Sequence, residues 1–274
     1  MKHERIYLDP SDERVYIDTY VVNDRSHIRP AMLVIPGGGY SAVCTEREGE
    51  PIALAFLAQD FNCFVLNYRV SAKEKYPDQL IDASRAIIHI RENAEEYCID
   101  PQRVYAVGFS AGGHLAGSLA ILHKDPEVLS ALGIEKGANR PTACILGYPV
   151  VSALLSTHSG SFLSLSGNRE GRMEDIPYDV KVKLSLETNV DSDSAPVFIW
   201  HTAEDELVPT AGSMALGQRY VECGIPVMLH LYPYGPHGLA VANGVTECGN
   251  PAWVQPFAED WIKDASLWFK TLLK

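Results

Sequence analysis

Short apolar runs rich in β-branched and aromatic residues alternate along the chain with longer stretches of helical period. Arg14 to Val22 alternates polar and apolar side chains and reads as the strand that opens a sheet. Ala31 to Pro36 is short and continuously apolar. Phe61 to Val70, Val104 to Gly108, Ala143 to Tyr148, Val197 to Thr202 and Val227 to Tyr232 complete the set of strands. Unbroken apolar strands are what a parallel sheet covered on both faces requires. Between them, Pro51 to Gln59, Tyr76 to Tyr97, Gly112 to His123, Thr210 to Cys223 and Trp253 to Leu273 read as helices. In the second of these, Leu80, Ala83, Ile87, Ile90 and Ala94 recur at helical spacing. The alternation predicts an α/β fold: a mostly parallel, doubly wound central sheet with helices on both faces, built by residues 1–274 as a single domain. Ser152 to Ser194 departs from it, being polar, Ser-rich and punctuated by Gly160, Gly167, Gly171 and Pro177. It reads as a small insertion over the strand ends, a candidate partial lid, with a linker to a second domain as the plainer alternative.

Composition narrows the class. Of 274 residues, 46% are hydrophobic and 21% charged, which suits a folded protein and excludes a disordered or collagen-like chain. Asp and Glu total 35 against 23 Lys and Arg, a formal charge of −12. A field of that sign repels phosphate backbones and anionic lipid, so neither nucleic acid nor membrane is an expected partner. The longest apolar run, Ala143 to Leu155, is interrupted by Gly147, Pro149 and Ser152. It falls well short of the roughly 20 residues a bilayer helix needs. The opening residues Met1-Lys2-His3-Glu4-Arg5 lack the apolar stretch of a secretory signal. Cys63, Cys98 and Cys144 lie in or beside apolar segments and read as buried thiols, with no paired-cysteine spacing. The expectation is a reduced, cytoplasmic protein. No HExxH or paired-histidine spacing occurs, so neither a metal nor a cofactor is expected.

The sharpest chemical signal is Gly108-Phe109-Ser110-Ala111-Gly112, a G-x-S-x-G that ends an apolar strand and opens a helix. A serine nucleophile needs such a turn, which exposes its Oγ above the sheet and tolerates only small residues on either side. The start of the following helix directs free N–H groups towards developing negative charge. The second signal is Pro36-Gly37-Gly38-Gly39-Tyr40 after the first apolar strand. Its glycines let the main chain approach a substrate, and Gly38, Gly39 and Ala111 are the candidate oxyanion-hole donors. A phosphate cradle is disfavoured, because no Lys-Ser/Thr follows and the G-x-G-x-x-G spacing is absent. A base and an orienting acid should follow the serine in the order acid, then histidine. Asp205, just past the strand ending at Thr202, is the acid candidate; Glu204 and Glu206 share its loop, and spacing alone does not separate the three. His237, between Pro236 and Gly238 in the loop after the last strand, is the base candidate. His114 reads as packing beside the site, His201 and His230 as satisfied strand residues, and His158 has no supporting context.

These blocks together, from Ile99 through Leu119 with Pro36 to Tyr40, Ala203 to Pro209 and Gly235 to Gly238, resemble the α/β-hydrolase superfamily over essentially the whole chain. Within it the likeness is to the esterase and lipase branch, which includes bacterial acetyl-xylan and feruloyl esterases and hormone-sensitive-lipase-like enzymes. One departure stands out: Pro36 occupies the place where the lipase-like members usually carry a histidine before the glycines. The resemblance implies a serine carboxylester hydrolase with Ser110 as nucleophile, His237 as base and Asp205 orienting the imidazole. It implies short acyl esters as substrates, with acetyl groups on xylo-oligosaccharides or related sugars foremost. Tyr40, Tyr68, Tyr148, Trp200 and Tyr234 lie near predicted strand ends and are candidates for an aromatic substrate-binding platform, with core packing as the plainer reading. Alternatives are a short-chain esterase without sugar preference, a prolyl-oligopeptidase-like peptidase, and a hydrolase fold that binds a ligand without turning it over. Self-association through an edge strand or the C-terminal helix stays open.

Overall fold

The apolar runs form strands, and the strands form one sheet. In the computed structural model, which describes residues 1–272, they are β1 (Arg5–Tyr7), β2 (Tyr16–Tyr20), β3 (Arg29–Ile35), β4 (Asn62–Asn67), β5 (Ile99–Phe109), β6 (Cys144–Gly147), β7 (Val197–Thr202) and β8 (Val227–Tyr232). Their order across the sheet is β1-β2-β4-β3-β5-β6-β7-β8. From β4 to β8 every neighbouring pair is parallel; β1 and β2 add an antiparallel edge. The helices are α1 (Thr45–Glu48), α2 (Glu50–Leu57), α3 (Asp78–Glu92), α4 (Ala111–Ile121), α5 (Pro126–Leu132), α6 (Ser159–Leu165), α7 (Tyr178–Leu184), α8 (Ala211–Glu222) and α9 (Trp261–Thr271). The last expected helix begins later than its apolar pattern, after a short 3-10 turn at Pro251–Trp253, and its expected end, Leu273, lies outside the described residues.

Because successive side chains of a strand point to opposite faces, each strand feeds two cores. Leu33 and Ile35 of β3 pack in one layer with Leu80, Ile87 and Leu119 of α3 and α4. Met32 and Val34 pack in the other with Phe56, Trp261 and Phe269 of α2 and α9. Each such side chain, fully buried, contributes roughly 1.5–3 kcal/mol relative to exposure. Cys63, Cys98 and Cys144 are buried as expected. Among the described residues no helix is long and apolar enough to cross a membrane.

The 152–194 segment is a packed layer. It carries α6, α7 and two 3-10 turns, and Phe162, Leu165, Ile176, Leu184 and Leu186 enter the core beside α4. The amide of Leu186 donates to the Val151 carbonyl at 3.0 Å, and Ser185 Oγ accepts from the Ala153 amide at 2.9 Å. Across the strand ends, Arg169 Nη2 donates to the Tyr40 carbonyl at 2.6 Å, tying the segment to the turn after β3.

Candidate active site

Four loops, at the carboxyl ends of β3, β5, β7 and β8, converge. Ser110 sits between β5 and α4 with φ 53° and ψ −120°, the left-handed bend that lifts its side chain above the sheet. Its amide donates to the Gly147 carbonyl at 3.0 Å, and its own carbonyl accepts from the amides of His114 and Val150, each at 3.1 Å. The turn closes because its flanking positions have no side chains. A Cβ on Gly108 would stand 2.0 Å from the Gly112 carbonyl oxygen, and one on Gly112 would stand 2.2 Å from that of Ile35.

The structure brings the three candidate side chains together. His237 Nε2 lies 2.8 Å from Ser110 Oγ, and His237 Nδ1 lies 2.6 Å from Asp205 Oδ2. Asp205 is buried, and its Oδ1 accepts from the amides of Leu207 at 3.0 Å and Val208 at 2.8 Å. Burial opposes its ionisation. Hydrogen bonds from His201 and His237, with the charge of His237 and the Val208 N–H, outweigh that penalty and hold the carboxyl well below the usual carboxylate range. The neighbouring acids separate by placement: Glu204 is exposed and caps the Gly235 amide at 3.0 Å, and Glu206 is exposed. His201, read from the sequence only as a satisfied residue of its strand, also supports the acid. Its Nε2 is 3.0 Å from Asp205 Oδ2 and 2.9 Å from the Val208 carbonyl, both acceptors, so this nitrogen carries the proton. Its Nδ1 then accepts from Ser213 Oγ at 2.8 Å.

The candidate oxyanion donors lie beside the serine. Gly38 and Gly39 share with Ser110 and His237 a cavity of about 300 Å³. Ala111 opens α4, whose N-terminus has no side-chain cap, so its first-turn N–H groups and dipole are directed at the site. The Gly37 amide is not available, since it donates to Glu48 Oε2 at 2.8 Å. The loop bearing the base is anchored on its carbonyl side. Trp253 Nε1 donates to the His237 carbonyl at 3.1 Å, Arg47 Nη1 donates to that of Gly238, and the Arg47 guanidinium lies 4.0 Å over the Trp253 ring.

The aromatic platform requires correction. Tyr40, Tyr68, Tyr148 and Trp200 are all buried, at 1%, 0%, 1% and 0% exposure, and form the walls behind the site instead of a face open to substrate. Ring bodies are more stable inside when their hydroxyls find partners. Tyr68 donates to the Pro36 carbonyl at 2.8 Å, and Tyr40 Oη pairs with His114 Nδ1 at 2.8 Å. Trp200 stacks on Trp261 with centroids 5.1 Å apart. Tyr234 is exposed and lies against Phe257 at 6.0 Å, and it does not line the serine cavity. The cavity wall comes instead from residues the sequence did not single out, chief among them Arg47, Glu48, His158 and Leu207. His158 comes from the 152–194 segment, with Nδ1 2.9 Å from Ser161 Oγ. Desolvation, then the nearby His237, lowers its pKa.

His114 sets a pH limit on this architecture. It is fully buried, its Nε2 meets the Leu184 carbonyl at 2.8 Å, and burial pushes its pKa down to about 4. Below the ordinary value of about 6.5 the unfolded chain takes up a proton that the native state refuses, so stability is full above that value and is lost as pH falls towards 4. The loss amounts to about 3 kcal/mol. His123 is also pushed down to about 4 by burial, so both act in the same window. Urea midpoints should fall between pH 6.5 and 4, and His114→Gln should make that fall shallower. An unchanged pH slope in the variant would locate the acid sensitivity elsewhere.

Residues 17–220 match the BD-FAE family. The chain is 39% identical over 223 residues to endo-1,4-beta-xylanase B of Butyrivibrio fibrisolvens, covering 78% of this chain and 33% of that protein. It is 26% identical over 250 residues to the acetylxylan esterase of Xylanibacter ruminicola, covering 88% of this chain and 45% of the relative. Among solved structures, the acetyl ester-xyloside bifunctional hydrolase from Caldicellulosiruptor lactoaceticus superposes with a TM-score of 0.82 at 30% identity, covering 98% of this chain and 96% of that one. The chain spans between a third and just under half of the length of the curated relatives it matches first.

Proposed function

The chain belongs to the BD-FAE family of the esterase and lipase branch of α/β-hydrolases, and from that premise we propose that it is a serine carboxylester hydrolase. Its substrates are short acyl esters, acetyl foremost, on xylo-oligosaccharides or related sugars. The observation that carries the reading is the continuous contact from Ser110 Oγ through His237 to Asp205, at 2.8 Å and 2.6 Å, in a cavity shared with Gly38 and Gly39.

As the Ser110 oxygen bonds to the acyl carbon, its proton passes to His237 Nε2. The carbonyl π electrons move to oxygen, where the N–H groups of Gly38, Gly39 and Ala111 hold the charge. Collapse breaks the bond to the alcohol oxygen, which takes the proton from His237 and leaves an acyl-serine. Water then repeats the sequence, giving up a proton to His237 and releasing the carboxylic acid and the free serine. Asp205 accepts Nδ1–H throughout, keeping Nε2 towards Ser110 and stabilising the imidazolium.

The acetyl and sugar preference rests on the three relatives whose names concern xylan or xyloside chemistry. A cavity of about 300 Å³ suits a small acyl group. The burial of Tyr40, Tyr68, Tyr148 and Trp200 removes a ring platform and favours a second reading, a short-chain esterase indifferent to the alcohol. Acetylated xylobiose and the monoacetate of trans-cyclohexane-1,2-diol separate the two, since each releases a secondary alcohol flanked by a second oxygen and only one of them is a sugar. A kcat/KM at least about tenfold higher on the sugar ester, worth about 1.4 kcal/mol, is expected. Equal values would sink the sugar preference and leave the esterase. Labelling of Ser110 by a fluorophosphonate distinguishes either enzyme from a binding protein of the same fold.

A further inference from the structure

A buried carboxylate stands beside the reaction and takes no part in it. Glu48, on the single turn α1, is 2% exposed. The Arg47 guanidinium forms an ion pair with it at 3.8 Å, too long for a hydrogen bond, so its hydrogen bonds come from neutral donors. Its two oxygens serve different loops. Oε2 accepts the Gly37 N–H at 2.8 Å, and Oε1 accepts the Tyr148 hydroxyl at 2.8 Å. The Tyr148 oxygen in turn accepts the Ala240 N–H at 3.0 Å, and its ring stands edge-on to that of His237 with centroids 4.9 Å apart. Burial and then the neighbouring Glu48 hold the Tyr148 phenol well above its ordinary pKa, so it stays a donor.

Burying a carboxylate against two neutral donors is costly, and an apolar filling of the same volume would ordinarily be at least as stable. What an apolar group cannot do is accept at two points at once. The Gly37 bond occupies that peptide N–H, and the next two peptides are those of the candidate oxyanion donors. The Tyr148 bond reaches the loop three residues beyond the base. We propose that Glu48 is a positioning residue that, directly at Gly37 and through Tyr148 at Ala240, sets the oxyanion donors and His237 in one shared geometry. This rests on the serine-hydrolase reading. Glutamine does not replace it, because its amide offers one acceptor and one donor where two acceptors are needed.

The test compares Glu48→Gln, Glu48→Asp, Tyr148→Phe and the Gln/Phe double variant with the intact chain, using 4-nitrophenyl acetate and a phenylboronic acid that forms a tetrahedral adduct on the serine. Glu48→Gln should lower kcat by about 10- to 100-fold with KM within about twofold. Boronate affinity should fall with kcat/KM, because both report the tetrahedral state. Tyr148→Phe should show a smaller loss of the same kind, Glu48→Asp should recover part of the activity, and the double variant should cost less than the sum of its parts. A kcat within twofold of the intact chain, a loss confined to KM, or unchanged boronate affinity would overturn the proposal. If Glu48→Gln does not fold, Tyr148→Phe decides alone by the same criteria. An intact chain that neither takes up fluorophosphonate nor turns over the aryl ester would overturn the hydrolase reading itself; active wild type with unaffected variants would overturn only the role of Glu48.

Discussion

Replacing Ser110 by alanine is expected to lower kcat on 4-nitrophenyl acetate by about 10⁶-fold while the melting temperature moves by only a few degrees. Only the hydroxyl is lost. The backbone of the turn is held by the Gly147 carbonyl and by the amides of His114 and Val150, none of which involves the side chain. The left-handed φ of 53° is as strained for alanine as for serine, so no strain is released. Stability changes by the one bond to His237, about 1 kcal/mol for a partly exposed pair. Some acceleration over water, about 10³-fold, should survive through the oxyanion donors. Stopped-flow and steady-state rates on purified variant check this; turnover at the wild-type rate would remove Ser110 from the reaction.

Asp205→Asn should damage both rate and stability. The carboxylate accepts from four groups: the amides of Leu207 and Val208 on one oxygen, and His237 Nδ1 and His201 Nε2 on the other. An asparagine oxygen can keep the two amides, but its NH₂ then faces two imidazole N–H groups. His237 would turn its other tautomer to Ser110, and kcat should fall by about 10⁴-fold. Leaving those buried donors unpaired should cost about 2–4 kcal/mol in urea unfolding at pH 7. The pH dependence follows from the depressed carboxyl of Asp205. In the native protein its contribution is complete above the ordinary value near 4 and is lost as pH falls through the lower folded value. The stability gap between wild type and variant should therefore narrow below about pH 4. A gap that stays constant with pH would mean that the carboxylate's charge does not stabilise the fold.

How much of this could be read from the chain depends on whether a feature is local. β7 and β8 have the limits expected of them, because Val197 to Thr202 and Val227 to Tyr232 are apolar runs with sharp edges. β1 is not legible: at three residues it has too few positions to show a period. α5 carries its own signals, an Asp125 cap accepting from Glu127 N, Pro126 at the first turn and left-handed Gly133 at its end, yet it is short enough to pass for a loop. Ser110 stands out in the sequence because a tight turn dictates its neighbours. Asp205 parted from Glu204 and Glu206 only when burial was known. The four buried aromatics were illegible as packing residues, since a ring near a strand end looks the same whether it faces solvent or the layer behind. Glu48 was hidden for the opposite reason. It lies in the run Thr45-Glu46-Arg47-Glu48-Gly49-Glu50, which reads as solvated charge, and its phenolic partner is 100 positions away.

The attachment of the 152–194 segment has an evolutionary corollary. Arg169 grips the Tyr40 carbonyl, the Leu184 carbonyl receives His114, and His158 Cε1 stands 3.3 Å from where a Cβ on Gly39 would project. The part of the chain best placed to diversify the mouth of the cleft is thus tied to the turn after β3, which carries the proposed oxyanion donors. Drift towards new alcohols by remodelling this stretch would carry a toll in turnover, and so would changes around Leu207, whose amide holds Asp205.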